Sequence, residues 1–276
     1  MSEADGLKCP VPWRSMATGM WQTQAAFAIG IIGVFIGWRG SIAKMTGFFD
    51  LSGSVKYLLY GIVSGMLLAS AADTLILSGI ITEQVNIITA SSYALLIAIC
   101  ESAFVLFLLG RPRNVALRAS PPFGWTLGLG IGAMQSSVLA FRLFDEELNS
   151  SLSGFSMYSV AVCLLISVTA CTGHAVLAAY QGAMILEPRR LGPFFSTSIL
   201  RAALLISLIL SIYTPLILVA PLTAITAAWA PSQERWLPSG LTPAARQAYR
   251  RTTRQSERHK IASSSRTRGS MIDEQE

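Results

Sequence analysis

The chain has 276 residues, of which 52% are hydrophobic and only 13% are charged, with a net charge of +6. A soluble globular domain carries about 25% charged residues, spread along its elements, so this composition excludes that class. The sequence instead predicts an all-α, polytopic transmembrane helical bundle whose first partner is the lipid bilayer. Because lysine and arginine in membrane proteins report orientation, the positive net charge does not indicate nucleic-acid binding.

Five segments meet the length of about 20 apolar residues that a membrane-spanning helix needs. In chain order they cover residues 21–38, 57–81, 87–110, 123–143 and 155–185. The last apolar stretch, residues 193–230, has 38 residues, which would make one helix of roughly 57 Å. That is nearly twice the thickness of the hydrocarbon core. The stretch therefore forms either one kinked helix or two helices that turn near residues 213–215.

Charges outside the spans predict the orientation and favour the second alternative. Basic residues follow the first, third and fifth spans, namely Arg39, Lys44, Lys56, Arg111, Arg113, Arg118, Arg189 and Arg190. The even-numbered connections carry only acidic residues, which are Glu83, Asp145, Glu146 and Glu147. The positive-inside rule then places the N-terminus outside the cell. The tail, with nine Arg or Lys residues from position 231 onward, is cytoplasmic, and this requires an odd number of spans, seven.

Three regions follow from this count. Residues 1–20 are a polar N-terminal segment, residues 21–230 are the seven-helix transmembrane domain, and residues 231–276 are a basic cytoplasmic tail. The composition of the tail predicts that this segment is largely disordered. Its positive charge would keep it in the cytoplasm and so set the topology of the chain. An alternative for residues 243–254 is a short basic helix on anionic lipid. The plasma membrane is the default location.

Five polar residues within the spans call for an explanation, because a charge at the bilayer centre costs about 2.5–3.5 kcal/mol on insertion scales. Asp73, Glu101, Gln135 and His174 lie in spans two to five and form a candidate polar intramembrane cluster. For Asp73, Glu101 and His174 the sequence leaves a functional role and a buried structural role open, whereas Gln135 alone is typical of helix packing. Arg201 is predicted to extend its side chain to the cytoplasmic interface.

Two pairs of glycines have the spacing of close helix contacts in membranes. Gly61 and Gly65 lie four residues apart in the second span, and Gly128 and Gly132 have the same spacing in the fourth. Small residues at this interval let two helix backbones approach each other. We therefore expect these positions to serve helix packing rather than to bind a nucleotide, since no strand precedes them.

The order of polar positions in spans three to five resembles that of the PrsW-type intramembrane proteases and the related APH-1 proteins. In that pattern, an acidic helix followed by basic residues precedes a glycine-rich helix with one polar residue and a helix with a single histidine. The resemblance covers about residues 95–190. It implies seven spans, an N-terminus outside and a cytoplasmic C-terminus.

The resemblance also implies roles for single residues. The paired acidic motif of the family falls on residues 100–104, where only Glu101 remains, its second acidic position falls on Gln135, and its histidine falls on His174. Glu101 and His174 would then be catalytic residues and ligands of a zinc ion. Asp73 could supply a third ligand, although nothing in the family pattern places it there. A catalytic zinc ion usually has three protein ligands, and glutamine is a poor one, so the family set is incomplete.

Four functions fit these observations. The leading hypothesis is a non-catalytic PrsW/APH-1-like scaffold that binds other transmembrane segments or subunits. The first alternative is an intramembrane metalloprotease that uses Glu101 and His174. The second is a small proton- or cation-coupled transporter or channel subunit, with Asp73, Glu101 and His174 as a relay. The third is a structural subunit without a site. Any shared site requires that Glu101, Gln135 and His174 converge.

Overall fold

The computed structural model describes residues 19–82, 85–146, 148, 150–187 and 189–273, so the predicted N-terminal segment, Glu83 and Glu147 lie outside the described residues, except for Gly19 and Met20. Within these ranges the chain forms helices and no strand. The long helices are α1 (Met20–Gly40), α2 (Leu51–Ala72), α4 (Ile87–Leu109), α6 (Ser120–Leu143), α7 (Met157–Leu186), α8 (Leu191–Leu210), α9 (Val219–Pro231) and α11 (Pro243–Asp273). The short ones are α3 (Ser78–Ile81), α5 (Pro112–Ala116) and α10 (Leu237–Ser239).

Tight turns extend several of these helices. A 3-10 turn, Ile42–Met45, follows α1, and a π-turn, Asp73–Leu77, joins α2 to α3. A second π-turn, Ser232–Trp236, joins α9 to α10. With these extensions, six helical segments are long and apolar enough to cross a membrane: Met20–Met45, Leu51–Ile81, Ile87–Leu109, Met157–Leu186, Leu191–Leu210 and Pro215–Ser239. The chain is thus an all-α, multi-pass membrane protein, as its composition predicts.

Polar caps fix where three of the spanning helices begin. The side chains of Asp50, Asn86 and Ser156 accept hydrogen bonds from the backbone N–H groups at the starts of α2, α4 and α7, at 2.9–3.0 Å. Such caps satisfy donors that the first helical turn leaves without a partner. Helix α6 begins instead with two prolines, which lack the N–H group and already have a helical φ.

The last apolar stretch forms two helices, which is the alternative that the loop charges favour. Helix α8 ends at Leu210, and a 3-10 turn, Pro215–Leu218, leads into α9. The reversal occupies residues 211–214, next to the predicted turn. The apolar segment continues to Ser239, beyond the predicted boundary at residue 230, and Leu237 and Leu241 are buried in the bundle. The predicted tail therefore contributes its first residues to the fold.

The rest of the tail forms the 31-residue helix α11 rather than the disordered segment that its composition predicts. This helix contains the predicted basic segment, residues 243–254, and continues past it. Between Pro243 and Gly269 the sequence has neither proline nor glycine, and it contains seven arginines and four alanines. These residues have high helix propensity, which accounts for a helix that buries little apolar surface.

Helix α6 is the centre of the bundle. Every residue from Ser120 to Ser137 is buried, and α1, α2 and α7 pack around it. Helix α6 is absent from the six apolar segments because serine, glycine, proline and glutamine lower its hydropathy. A helix that contacts protein on all sides does not need the apolar surface that lipid requires.

Glycines allow the neighbours of α6 to approach its backbone. A Cβ atom at any of four positions would overlap backbone atoms of the facing helix, these being Gly61, Gly65, Gly128 and Gly132. Gly61 lies against Leu127, and Gly132 lies against Ala170 of α7. The sequence predicts close helix packing at these same four positions.

The connections gather at two ends of the bundle. At one end, which we call the basic end, Arg118 in the turn before α6 donates a hydrogen bond to the carbonyl of Ser239 at 3.2 Å. The same end holds the turn after α1, where Ser41 accepts a hydrogen bond from Gln233 at 2.6 Å. At the opposite end, Ser150 donates to the carbonyl of Ile212 at 2.8 Å. Successive long helices thus alternate in direction.

Candidate functional site

Three of the four predicted cluster residues meet in the interior. The imidazole of His174 on α7 has its Nδ1 atom 2.7 Å from Glu101 Oε1 on α4 and its Nε2 atom 2.8 Å from Gln135 Oε1 on α6. Their side chains are shielded, with exposed fractions of 2% for Glu101 and Gln135 and 1% for His174. Residues 34 to 73 positions apart in the sequence therefore form one hydrogen-bonded unit.

The helix packing explains why these side chains meet. Gly128 lies against the backbone of His174, and Gly132 lies one turn further along α6 against α7. Gln135 follows Gly128 by seven residues, which is about two helical turns, so it lies on the same face of α6. The close contact between the two helices thus brings the amide of Gln135 to the histidine ring.

Arg201 completes this arrangement, and its predicted position at the interface is wrong. Its side chain is 1% exposed and its Nε atom lies 2.9 Å from Glu101 Oε1. Its Nη1 atom donates hydrogen bonds to Ser102 Oγ at 2.6 Å and to Gln181 Oε1 at 3.0 Å. The guanidinium lies between α4 and α8 because a carboxylate at the same depth neutralises it, which removes the need to reach water.

We call these six side chains the polar network; it consists of Glu101, Ser102, Gln135, His174, Gln181 and Arg201. The sequence reasoning missed Gln181, although a signal was present. It follows His174 by seven residues and so lies on the same face of α7. Its Nε2 atom donates to the carbonyl of Ser102 at 2.9 Å. The network therefore connects α4, α6, α7 and α8 through side chains.

Asp73 does not belong to the polar network. Its carboxylate accepts two hydrogen bonds from Arg142 at 2.7 and 2.6 Å, at the end of the bundle opposite the basic end. The two side chains are 18% and 19% exposed. Asp73 thus has the role of a carboxylate that ties one helix to its neighbour, here the end of α2 to the end of α6.

A small cavity lies between Asp73 and the polar network. It has a volume of about 10 Å³, and both Asp73 and Gln135 line it together with apolar residues of α2, α6 and α8. A cavity of this size accommodates about one water molecule. On the network side, the Nε2 atom of Gln135 is buried without a hydrogen-bond partner, as is Nη2 of Arg201.

The residues present do not fit the zinc site that the resemblance implies. Both ring nitrogens of His174 already face side-chain oxygens, and the Oε1 atom of Glu101 is shared with the Arg201 cation. Among the residues that the structure describes, no three His, Cys, Asp or Glu side chains are grouped so as to hold a metal ion. A guanidinium beside the carboxylate also repels a second cation.

An apolar groove runs along the outside of the bundle beside the polar network. It has a volume of about 270 Å³ and lies between α7, α8 and α9. Gly173, the residue before His174, lines its floor, and small side chains of α9 line one wall, namely Ala220, Ala224 and Ala228. The groove therefore offers a surface on which another apolar helix can approach closely.

No protein family, curated protein or solved structure matches this chain. The relationship to the PrsW-type proteases and APH-1 proteins stays a prediction based on the order of polar positions.

Proposed function

We propose that this chain is a non-catalytic scaffold of the PrsW/APH-1 type that binds the membrane-spanning segments of other proteins. The observation that supports this most is the closure of the polar network around His174. Each ring nitrogen has a side-chain partner, and Arg201 lies beside the one carboxylate. The groups that a metalloprotease would use to bind zinc and activate water are engaged with one another.

In this proposal the polar network holds the scaffold together. It links four helices in a part of the molecule where lipid supplies no hydrophobic force between them. Interhelical hydrogen bonds within membranes contribute roughly 0.6 kcal/mol each on average, up to about 1.7. A network of several such bonds, together with a buried ion pair, gives these helices one defined arrangement.

The proposal includes seven spans, with α6 as the seventh beside the six apolar segments. Helix α6 has 24 residues, enough to cross a hydrocarbon core that needs about 20. Seven alternating helices put the chain termini on opposite sides, with the N-terminus outside and the basic end in the cytoplasm. The default location remains the plasma membrane.

Metal analysis tests the absence of catalysis. We expect the purified full-length protein to contain far less than one zinc ion per chain, and His174→Ala to leave that content unchanged. We also expect no cleavage of a membrane-embedded peptide when the protein and zinc are reconstituted together. Stoichiometric zinc that is lost on His174→Ala would contradict the scaffold proposal and favour the protease.

The groove is the expected binding surface for a partner segment, and photo-crosslinking in native membranes tests it. A photoreactive phenylalanine analogue at Ala224, within the groove, should form a discrete protein adduct. The same probe at Leu216, which is 78% exposed and lies outside the groove, should form none. Equal labelling at both positions, or none at Ala224, would contradict the assignment of the groove.

A proton or cation relay is the second candidate, and the cavity between Asp73 and Gln135 favours it. One water molecule there would extend the chain of polar groups from Asp73 toward His174. This candidate predicts a pH-driven flux into liposomes that Glu101→Gln abolishes. A wild-type protein without flux under an imposed pH gradient would exclude it.

A further inference from the structure

A large cavity with cationic walls lies at the basic end, away from the polar network. Its volume is about 650 Å³, within the range of roughly 300–1,000 Å³ that small-molecule sites occupy. Four cationic side chains line it, which are Lys44, Arg235, Arg250 and Arg254. We call this cavity the basic pocket. The four come from three separate places in the chain: the turn after α1, the π-turn after α9, and α11.

The walls of the basic pocket are tied to the bundle. Arg246 of α11 donates hydrogen bonds to the carbonyls of Pro238 at 2.8 Å and Ser239 at 3.1 Å. The ring of Tyr249 packs edge-on against Phe48, with ring centroids 5.6 Å apart. These contacts fix the first turns of α11 over the end of the bundle, so Arg250 and Arg254 are held above the cavity.

Cations outnumber carboxylates in the lining of the basic pocket. Glu234 is the one carboxylate among the lining residues that the structure describes, and none of the ion pairs found among the described side chains involves Lys44, Arg235, Arg250 or Arg254. Four cations and one carboxylate leave the lining with a net charge of +3 (4 − 1). The pKa of the neighbouring Arg246 is lowered, chiefly by burial and further by the like charges of Arg118 and Arg250. An excess of positive charge therefore lines this surface.

The position of the pocket narrows the chemistry of its ligand. It lies at the end of the membrane-spanning segment Pro215–Ser239. In the sequence, Trp229 and Trp236 flank the lining residues 233–235 of this segment. Tryptophans at the ends of spans lie at the level of lipid headgroups. Arginine and lysine are the residues that bind phosphate, arginine through paired N–H groups. A phosphate-bearing anion at headgroup level fits both the charge and the place.

We propose that the basic pocket binds the phosphate-bearing headgroup of an anionic membrane lipid, and that Lys44, Arg235, Arg250 and Arg254 bind its phosphates. The volume exceeds that of one phosphate group, so the pocket favours headgroups with more than one. The inference does not rest on the scaffold proposal, because no residue of the polar network takes part.

Lipid binding to the full-length protein in nanodiscs tests the proposal. Discs of phosphatidylcholine alone are compared with discs that also contain cardiolipin or phosphatidylinositol bisphosphate, and native mass spectrometry counts the retained lipids. We expect one anionic lipid per chain. Because these two guanidinium groups would bind the phosphates directly, Arg250→Gln with Arg254→Gln should weaken binding at least about tenfold.

A matched control separates the pocket from general attraction to the tail. Arg251→Gln with Arg258→Gln removes the same charge from the same helix, and neither residue lines the pocket. This variant should bind the lipid as the wild type does. Equal weakening in both double variants, or no weakening in either, would overturn the proposal. All four positions are exposed, so size-exclusion profiles should be unchanged.

A second arm identifies the source of the phosphate. The protein in neutral detergent is titrated with inorganic pyrophosphate, and the same titration is repeated in discs that contain the anionic lipid. A lipid site predicts that the lipid displaces pyrophosphate. Pyrophosphate binding that the lipid leaves unchanged would assign the pocket to a soluble phosphate compound and overturn the lipid proposal.

Discussion

Two ion pairs of the same chemical type differ in their exposure to solvent, and this decides how strongly each affects stability. The Glu101–Arg201 pair is 2% and 1% exposed, whereas the Asp73–Arg142 pair is 18% and 19% exposed. Removing one member of a fully buried pair leaves a charge without compensation, at about 3–5 kcal/mol. A partly exposed pair is screened by water and contributes about 1 kcal/mol or less.

We therefore expect Arg201→Met to lower the free energy of unfolding by about 3–5 kcal/mol, because Glu101 loses its cationic partner. Titration with a denaturing detergent in mixed micelles measures this change. Combining Arg201→Met with Glu101→Gln should recover part of the loss, since the buried charge is then removed. The control is Leu200→Met on the outer face of α8, where Leu200 is 51% exposed. A similar stability for Arg201→Met and Leu200→Met would contradict the pairing.

Asp73→Asn should be much milder. Because both side chains are partly exposed at the end of the bundle, we expect a loss of about 1 kcal/mol or less, and salt should reduce it further. The same unfolding titration, repeated at low and high ionic strength, measures both effects. A loss as large as that of Arg201→Met would show that this pair is more strongly shielded than its exposure indicates.

The sequence identified the network residues by their depth in the membrane but not by their direction. Glu101, Gln135 and His174 stood out because polar groups at mid-span are costly, and the three meet in the structure. For Arg201 the depth alone predicts a place at the interface, because its long side chain can reach water from there. Whether the side chain of Arg201 faces lipid or α4 depends on the rotation of α8 about its axis relative to α4. A single sequence does not determine this rotation.

At the scale of elements, α6 shows that a membrane helix covered by neighbouring helices does not need high hydropathy. Its glycines let α2 and α7 approach its backbone, and every residue from Ser120 to Ser137 is buried. A periodic apolar face, which normally predicts a buried helix, is unnecessary when the whole circumference is covered. Two proline residues at the start and a run of apolar and small residues sufficed to predict this helix.

Gly132→Ala tests this close contact. Its Cβ atom would lie 2.5 Å from the carbonyl oxygen of Ala170, which belongs to the backbone of α7 and cannot move alone. We expect a loss of roughly 1–3 kcal/mol in unfolding free energy, the usual range for overpacking. Gly192→Ala in α8, where nothing lies within 4 Å, is the control and should be neutral or stabilising by up to about 1 kcal/mol. Equal stability of the two variants would contradict the predicted overlap.

The sequence predicts the break between α8 and α9 but not the start of every helix. The break follows from the length of the apolar stretch and from Pro215, whereas α2 begins at Leu51, before the predicted span at residues 57–81, because Asp50 caps it. Composition predicts a disordered tail because it reflects only hydrophobicity and charge, and the alternative of a short basic helix covers only residues 243–254 of α11. The folded first turns of α11 depend on contacts of Arg246 and Tyr249 with distant residues.

At the scale of the whole molecule, the grouping of the connections at two ends carries a prediction about orientation. The basic end collects lysine and arginine from several connections, and positive residues remain in the cytoplasm. We expect green fluorescent protein fused to the C-terminus to fluoresce, and alkaline phosphatase fused there to be inactive. An active phosphatase at the C-terminus would reverse the orientation, and activity at both termini would contradict an odd number of spans.

The shielding of α6 has a consequence for how the protein is made. A ribosome delivers the helices to the membrane in order, so α6 is synthesised after α2 but before α7, its largest neighbour. Until α7 arrives, the glycines, serines and Gln135 of α6 face lipid or the insertion machinery. Release of α6 into the bilayer should therefore wait for α7, and nascent chains that end between the two helices should be removed by membrane quality control.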